Sequence, residues 1–171
     1  CFSKSLLKST LCQSTATDKD YYFSKFVILT LLVEFYDGQG SSSKTRDFMK
    51  VGELLNCISE RLKQGVSNQE DREKNEENER DEQEQSGLAF TNMIEAYEAL
   101  RSDHKASRAR TTKEGFIHSI LSFLGKQGLI DYIEADDMIK TTNKLNHFMD
   151  FNLLNRNNYN RVMRVMGVKE L

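Results

Sequence analysis

The clearest pattern of apolar and polar positions lies between residues 111 and 142. Thr112 opens it, and threonine is a favourable helix N-cap. Gly128 follows it and suits the left-handed conformation just beyond a helix end. Between them, apolar side chains recur at the spacing of one buried helical face: Phe116, Ile117, Ile120, Leu121 and Leu124. We therefore predict a helix that begins after Thr112 and stops near Gly128.

A small β-hairpin is predicted directly after this helix. Residues 129–133 are mostly apolar, residues 134–137 form a polar turn, and a second strand segment follows from Met138 to Thr141. Two short strands joined by a polar turn would produce this order. A helix followed by such a hairpin resembles the second half of a winged helix, with a recognition-type helix and a wing. The alternative is an amphipathic helix followed by an unrelated small hairpin.

Apolar stripes elsewhere predict further helices. The helix predicted from Tyr21 to Tyr36 is apolar on nearly all sides. This composition favours a position for the helix in the centre of a domain. Another runs from Gly52 to Gln64, and Gly65 is predicted to end it. Phe48 to Val51 predicts either a short strand or the entrance to that helix. Three more helices are predicted around residues 88–102, 145–153 and 159–166.

Length and composition favour one compact domain. The chain has 171 residues, of which 38% are hydrophobic, and this is enough for one substantial core. We predict a mainly α fold with a small β-hairpin, namely a winged-helix domain with extra flanking helices. Its parts are N-terminal helices (1–66), an acidic flexible linker (67–87), a helix with the recognition-type helix and wing (88–144), and a C-terminal helical tail (145–171).

The predicted linker carries most of the negative charge. Between Ser67 and Gly87, nine acidic residues stand against three basic ones, without a large apolar side chain. The segment contributes −6 to a total of −2, which leaves +4 for the remainder. So polar a segment buries too little surface to offset its ordering entropy, which predicts a mobile loop or a solvated helical extension. The alternative is an acidic strip that covers a basic surface in the absence of nucleic acid.

Basic residues cluster just before the recognition-type helix. From Arg101 to Lys113, only Asp103 opposes five basic side chains. The helix N-terminus that follows favours phosphate through its free N–H groups and its macrodipole. Contacts with the DNA backbone are predicted without base reading, because the exposed helix positions lack Arg, Asn and Gln. The alternatives are a basic solvated face and an intrachain partner for the acidic linker. The predicted DNA-binding residues are Arg101, Lys105, Arg108, Arg110, Lys113, Lys126, Lys140 and Lys144.

Catalysis, metals and cofactors are not predicted. The three histidines, His104, His118 and His147, form no metal-binding motif, and no nucleotide-binding glycine motif or nucleophile motif occurs. Asp136 and Asp137 are adjacent carboxylates, but aspartate is common in turns. We therefore predict that the protein is not an enzyme and needs no cofactor.

Cysteine usage and hydropathy favour a cytoplasmic protein. Cys1, Cys12 and Cys57 are odd in number and lack C-x-x-C spacing, which indicates a reducing compartment. Cys57 lies on an apolar helical stripe and is predicted to be a core residue. The longest apolar run, Phe26 to Val33, is far shorter than the ~20 residues that span a bilayer.

The segment FIHSILSFLGKQGLIDYIEADDMIKTTNKLNHFM, residues 116–149, resembles the winged-helix region of MukE-like proteins. These are kite subunits, the tandem winged-helix partners of kleisins in bacterial SMC-type complexes (MukBEF, MksBEF and Wadjet). The resemblance covers Phe23 to Met149 in outline and Lys113 to Met149 closely. The sequence departs from the kite pattern in showing one winged helix instead of two and in carrying the acidic insertion.

This resemblance implies a non-catalytic, nucleoid-associated subunit that forms a homodimer, binds a kleisin and helps to hold DNA against the SMC ATPase heads. Candidate partner-binding residues on two apolar helices are Phe26, Leu29, Tyr159, Val162, Met163 and Met166. Both helices could equally be core. The alternative functions are a free-standing dimeric winged-helix transcriptional regulator and a protein-interaction adaptor without DNA affinity.

Overall fold

A computed structural model describes residues 18–36, 44–75, 93–100 and 112–153 of the chain. This part is mainly helical and contains one small antiparallel sheet. The elements, in chain order, are α1 (Asp18–Phe35), β1 (Phe48–Lys50), α2 (Val51–Asn75), α3 (residues 93–99), α4 (Lys113–Lys126), β2 (Ile130–Ile133), β3 (Met138–Thr141) and α5 (Asn143–Leu153). A 3₁₀ turn, Glu134–Asp136, joins β2 to β3.

The predicted hairpin is confirmed, and a third strand joins it. The sheet order is β1-β3-β2, and both pairings are antiparallel. Met49 lies opposite Ile139, and both side chains are fully buried. For Phe48–Val51 the sequence predicted either a short strand or the entrance to a helix. The segment is both, because β1 ends at Lys50 and α2 begins at Val51.

Helix α1 occupies the centre of the described core, as its apolar composition predicts. Phe23, Phe26, Val27, Leu31 and Phe35 are each at most 4% exposed. Helices α1, α2 and α4 contact one another, and the buried side chains form one continuous hydrophobic cluster. The sheet closes this cluster through Met49, Ile130 and Ile139.

The prediction that Gly65 ends α2 is wrong, because the helix continues to Asn75. A glycine inside a helix costs about 1 kcal/mol relative to alanine. Burial of Leu54, Ile58 and Leu62, each 0% exposed, outweighs that cost. Residues 67–75 of the predicted linker are thus the helical extension, and residues 76–87 lie outside the described residues.

The remaining helical predictions are confirmed where the structure describes the chain. Residues 93–99 form α3 within the helix predicted near 88–102. In α5, Leu145 and Met149 are buried, whereas Phe148 is 38% exposed. The Tyr36 hydroxyl, at the end of α1, donates a hydrogen bond to Asn146 Oδ1 on α5. The helix predicted near 159–166 lies outside the described residues. Among the helices described, none is long and apolar enough to span a bilayer.

Candidate nucleic-acid and partner interface

Local sequence signals fix both ends of α4. The Gly115 backbone N–H donates to Thr112 Oγ1 at 3.1 Å, which confirms Thr112 as the N-cap. Gly128 adopts φ +70°, which confirms the left-handed position after the helix. Between these ends, the predicted stripe turns inward, and Ile117, Ile120 and Leu121 are at most 1% exposed. The opposite face of α4 is therefore the one that a ligand could reach.

The outward face of α4 carries four polar residues at four-residue spacing: Glu114, His118, Ser122 and Lys126. His118 Nδ1 lies 3.2 Å from the Tyr132 hydroxyl on β2, and its Nε2 lies 3.4 Å from Ser122 Oγ. The middle of this face is therefore engaged with β2. Histidine, serine and one terminal lysine do not form the bidentate donor and acceptor set that reads bases.

Acidic side chains dominate the hairpin. From α4 to β3, the acidic residues Glu114, Asp131, Glu134, Asp136 and Asp137 outnumber the basic residues Lys113, Lys126 and Lys140. The four carboxylates of the hairpin are all exposed. Negative charge at this position opposes phosphate contacts, which supply most of the affinity for DNA. The hairpin therefore offers a poor surface to a nucleic-acid backbone.

The described lysines of the predicted DNA-binding set belong to three elements, α4, β3 and α5. Lys113 begins α4, with its ammonium 4.4 Å from the centre of the Tyr97 ring. Lys126 ends the same helix, and Lys144 Nζ donates to the Gln127 carbonyl at 2.7 Å beside it. Lys140 lies on β3. Arg101, Lys105, Arg108 and Arg110 lie outside the described residues.

Of the predicted partner-binding residues, the structure describes the two on α1. Phe26 is 4% exposed, so its side chain belongs to the core, the reading that the sequence left open. The Leu29 side chain is partly buried and packs against that core. Tyr159, Val162, Met163 and Met166 lie outside the described residues.

An ion cluster joins α1 to α2 near Cys57. The Glu34 carboxylate accepts a 2.6 Å hydrogen bond from Arg61 and lies 3.5 Å from Arg46. Burial raises the pKa of the Cys57 thiol, which opposes the thiolate form needed for nucleophilic chemistry. Among the residues that the structure describes, no three potential ligands group together to hold a metal ion.

A groove between α4 and the hairpin was not predicted from the sequence. The groove has a volume of about 510 Å³ and is lined by Ser122, Gly125, Lys126, Ile130, Asp131, Tyr132 and Glu134. It depends on how a helix and a strand pack, so no local pattern encodes it. The exposure of an aromatic ring on β1 was not predicted either. Phe48 is strongly apolar, yet it is 47% exposed.

Comparison with known proteins identifies a family whose function is unknown. A protein-family model matches residues 1–171, and its description reads "Family of unknown function (DUF6063)". No curated protein and no solved structure matches the chain. The function therefore has to be inferred from the chain's own residues.

Proposed function

Because the chain belongs to the DUF6063 family, whose function is unknown, we propose a function from its fold and surface chemistry. The protein is a non-catalytic winged-helix subunit of an SMC-type complex. It binds a kleisin as its protein partner and contacts the DNA backbone without sequence specificity. It acts as a homodimer in the cytoplasm, associated with the nucleoid.

The order of strands in the sheet carries the winged-helix part of the proposal. A strand between the first two helices pairs with the last strand of the hairpin, and α4 lies between them in the chain. This order matches a winged helix, in which the sheet closes one side of a three-helix core. It supports the likeness to kite subunits, which the sequence carries between Lys113 and Met149.

The surface of α4 favours a subunit over a free-standing transcriptional regulator. A regulator needs side chains that reach base edges from its recognition helix. On the outward face of α4, His118 contacts both Ser122 and Tyr132. The adjacent hairpin is acidic. These features support protein partners at this surface and leave DNA contact to another part of the chain.

DNA contact belongs to the basic stretch that leads into α4. Five basic residues lie in the thirteen positions that end at the first residue of the helix: Arg101, Lys105, Arg108, Arg110 and Lys113. The macrodipole also favours phosphate at this helix N-terminus. Contacts of this kind give salt-dependent affinity without base discrimination.

The DNA part is tested by titrating the full chain against two unrelated duplexes at two salt concentrations, with fluorescence anisotropy as the readout. We expect equal, salt-sensitive affinity for both duplexes. The double variant Arg108→Ala/Arg110→Ala should weaken binding to both and reduce the salt slope by roughly 1 to 2 units. Lys113 is left intact because its ammonium packs over Tyr97.

The matched control is Lys63→Glu, which lowers the net charge by the same two units at an exposed position elsewhere. It should change DNA binding much less than the arginine variant. Preference for one duplex would support a regulator, and no binding at low salt would support an adaptor. The partner part is tested by co-expressing the chain with kleisin and SMC subunits of its own organism, and failure to co-elute on gel filtration would contradict it.

A further inference from the structure

Helix α1 carries a second apolar stripe beside the one that faces the core. The side chains toward the core include Phe23, whose ring lies 5.0 Å from the Phe116 ring on α4. On another side of the helix, Tyr22, Leu29 and Val33 follow at helical spacing and form what we call the outward stripe. Tyr22 is 48% exposed, and the Leu29 and Val33 side chains are half-buried. The outward stripe is therefore more apolar than a helix face that meets only water.

The chain that leads into α1 has an apolar side of its own. Residues 1–17 lie outside the described residues, and they directly precede the first residue of α1. On a helical wheel, Leu6, Leu7 and Leu11 fall on one side of this segment, and its two lysines fall on the other side. A helix of this kind gains stability only when its leucines pack against another apolar surface.

The connection between the two surfaces favours a contact within one chain. Residues 13–17 are polar or small, and five residues are enough to join two antiparallel helices. In such a hairpin residue 12 lies opposite residue 18, so residue 2 reaches the level of residue 28, next to Leu29. A tethered segment is also present at a high effective concentration. A second copy of α1 would instead have to offset the loss of translational and rotational freedom on association.

We propose that residues 2–12 form a helix that packs antiparallel to α1 and covers the outward stripe from Tyr22 to Leu29. Its leucines face α1, and Lys4 and Lys8 face solvent. The inference goes beyond the proposed function and does not depend on it. It assigns the outward side of Leu29 to a contact within the chain, whereas the sequence left this residue as a candidate for binding a partner protein.

Paramagnetic relaxation from a nitroxide at position 4 tests the contact in the full chain by NMR. The label is attached to Lys4→Cys, on the solvent-facing side of the proposed helix, so the leucines stay in place. We expect the amides of residues 25–29 to broaden at least severalfold more than those of residues 58–62 in α2. The native thiols are first removed by three substitutions: Cys1→Ser, Cys12→Ser and Cys57→Ala.

Two double variants of the labelled chain identify the side of the segment that makes the contact. Leu7→Asp/Leu11→Asp directs two carboxylates at α1, and burying unpaired charge is costly. The extra broadening at residues 25–29 should therefore fall by roughly tenfold or more. The matched control is Ser5→Asp/Ser9→Asp, which adds the same charge on the solvent-facing side and should retain the broadening.

A mixed sample shows whether the contact lies within one chain. Isotope-labelled chain without nitroxide is mixed with unlabelled chain that carries it, and the amides of residues 25–29 should stay sharp. Broadening in this mixture would overturn the inference and assign the outward stripe to a second copy. Equal broadening at residues 25–29 and 58–62, or undiminished broadening in the leucine variant, would also overturn it. None of these results involves DNA or a kleisin, so they are separate from the tests of the proposed function.

Discussion

Gly125 and Gly128 lie three residues apart near the end of α4, yet the same substitution should act in opposite directions. At Gly125, an added Cβ would make only an ordinary contact, so Gly125→Ala should stabilise the fold by roughly 0.5–1 kcal/mol. At Gly128, φ is +70°, so Gly128→Ala should destabilise it by roughly 1–2 kcal/mol.

Urea unfolding of the two single variants checks this pair. The unfolding midpoint should rise for Gly125→Ala and fall for Gly128→Ala, without a change in slope. Gly128→Asn serves as the control, because asparagine tolerates the left-handed region better than alanine and should cost less. Equal effects at the two glycines would contradict the conformational argument.

At the scale of whole elements, Tyr36 and Tyr97 join helices through their phenols. Tyr36 reaches Asn146 on α5, and the Tyr97 hydroxyl on α3 lies 2.9 Å from Ser59 Oγ on α2. Burial is the largest cause that raises the pKa of both phenols above the ordinary value of 10. The folded chain therefore holds these protons more tightly than the unfolded chain. This contribution to stability is complete below about pH 10 and is lost as the pH rises further.

We accordingly expect the free energy of unfolding to fall as the pH rises above about 10. Tyr97→Phe should cost about 1 kcal/mol at neutral pH through the lost hydrogen bond, and it should flatten the alkaline decline. Tyr22→Phe, at a ring that is 48% exposed, is the control and should leave the decline unchanged. Parallel pH profiles for the wild type and Tyr97→Phe would contradict the assignment.

Elements encoded by local patterns were predictable from the sequence. The cap at Thr112, the buried stripe of α4 and the left-handed Gly128 each depend on neighbouring residues, and each is found. The length of α2 was not predictable, because burial of Leu62 and its neighbours decides whether the helix passes Gly65. Local propensity alone assigns Gly65 to a helix end, but tertiary packing outweighs it.

The candidate surfaces were less predictable, since they depend on contacts between distant residues. The pairing of β1 with β3 requires the register of Met49 opposite Ile139, which no local pattern carries. The groove along β2 requires the packing of Gly125 against Ile130. Apolar composition likewise could not separate core from interface in α1, where Phe26 is buried and Tyr22 is exposed.

For the whole molecule, the distribution of charge matters more than the total of −2. The recognition-type helix and hairpin are net acidic, although the chain outside residues 67–87 carries +4. Basic residues before α4 and acidic residues around β2 would therefore attract different ligands.

The tie between β1 and the hairpin also sets how the chain folds. Lys50 Nζ donates to the Asp136 carbonyl at 2.8 Å, although the two residues are 86 positions apart. The adjacent Val51 N–H donates to the Asp137 carbonyl at 2.9 Å. Closing so long a loop is slow, but the closure free energy grows only with the logarithm of loop length, so removing 12 of the 86 positions changes it by roughly 0.1 kcal/mol. Deletion of residues 76–87 should thus leave both the refolding rate in stopped-flow measurements and the equilibrium stability nearly unchanged, and a severalfold change in the rate would contradict this.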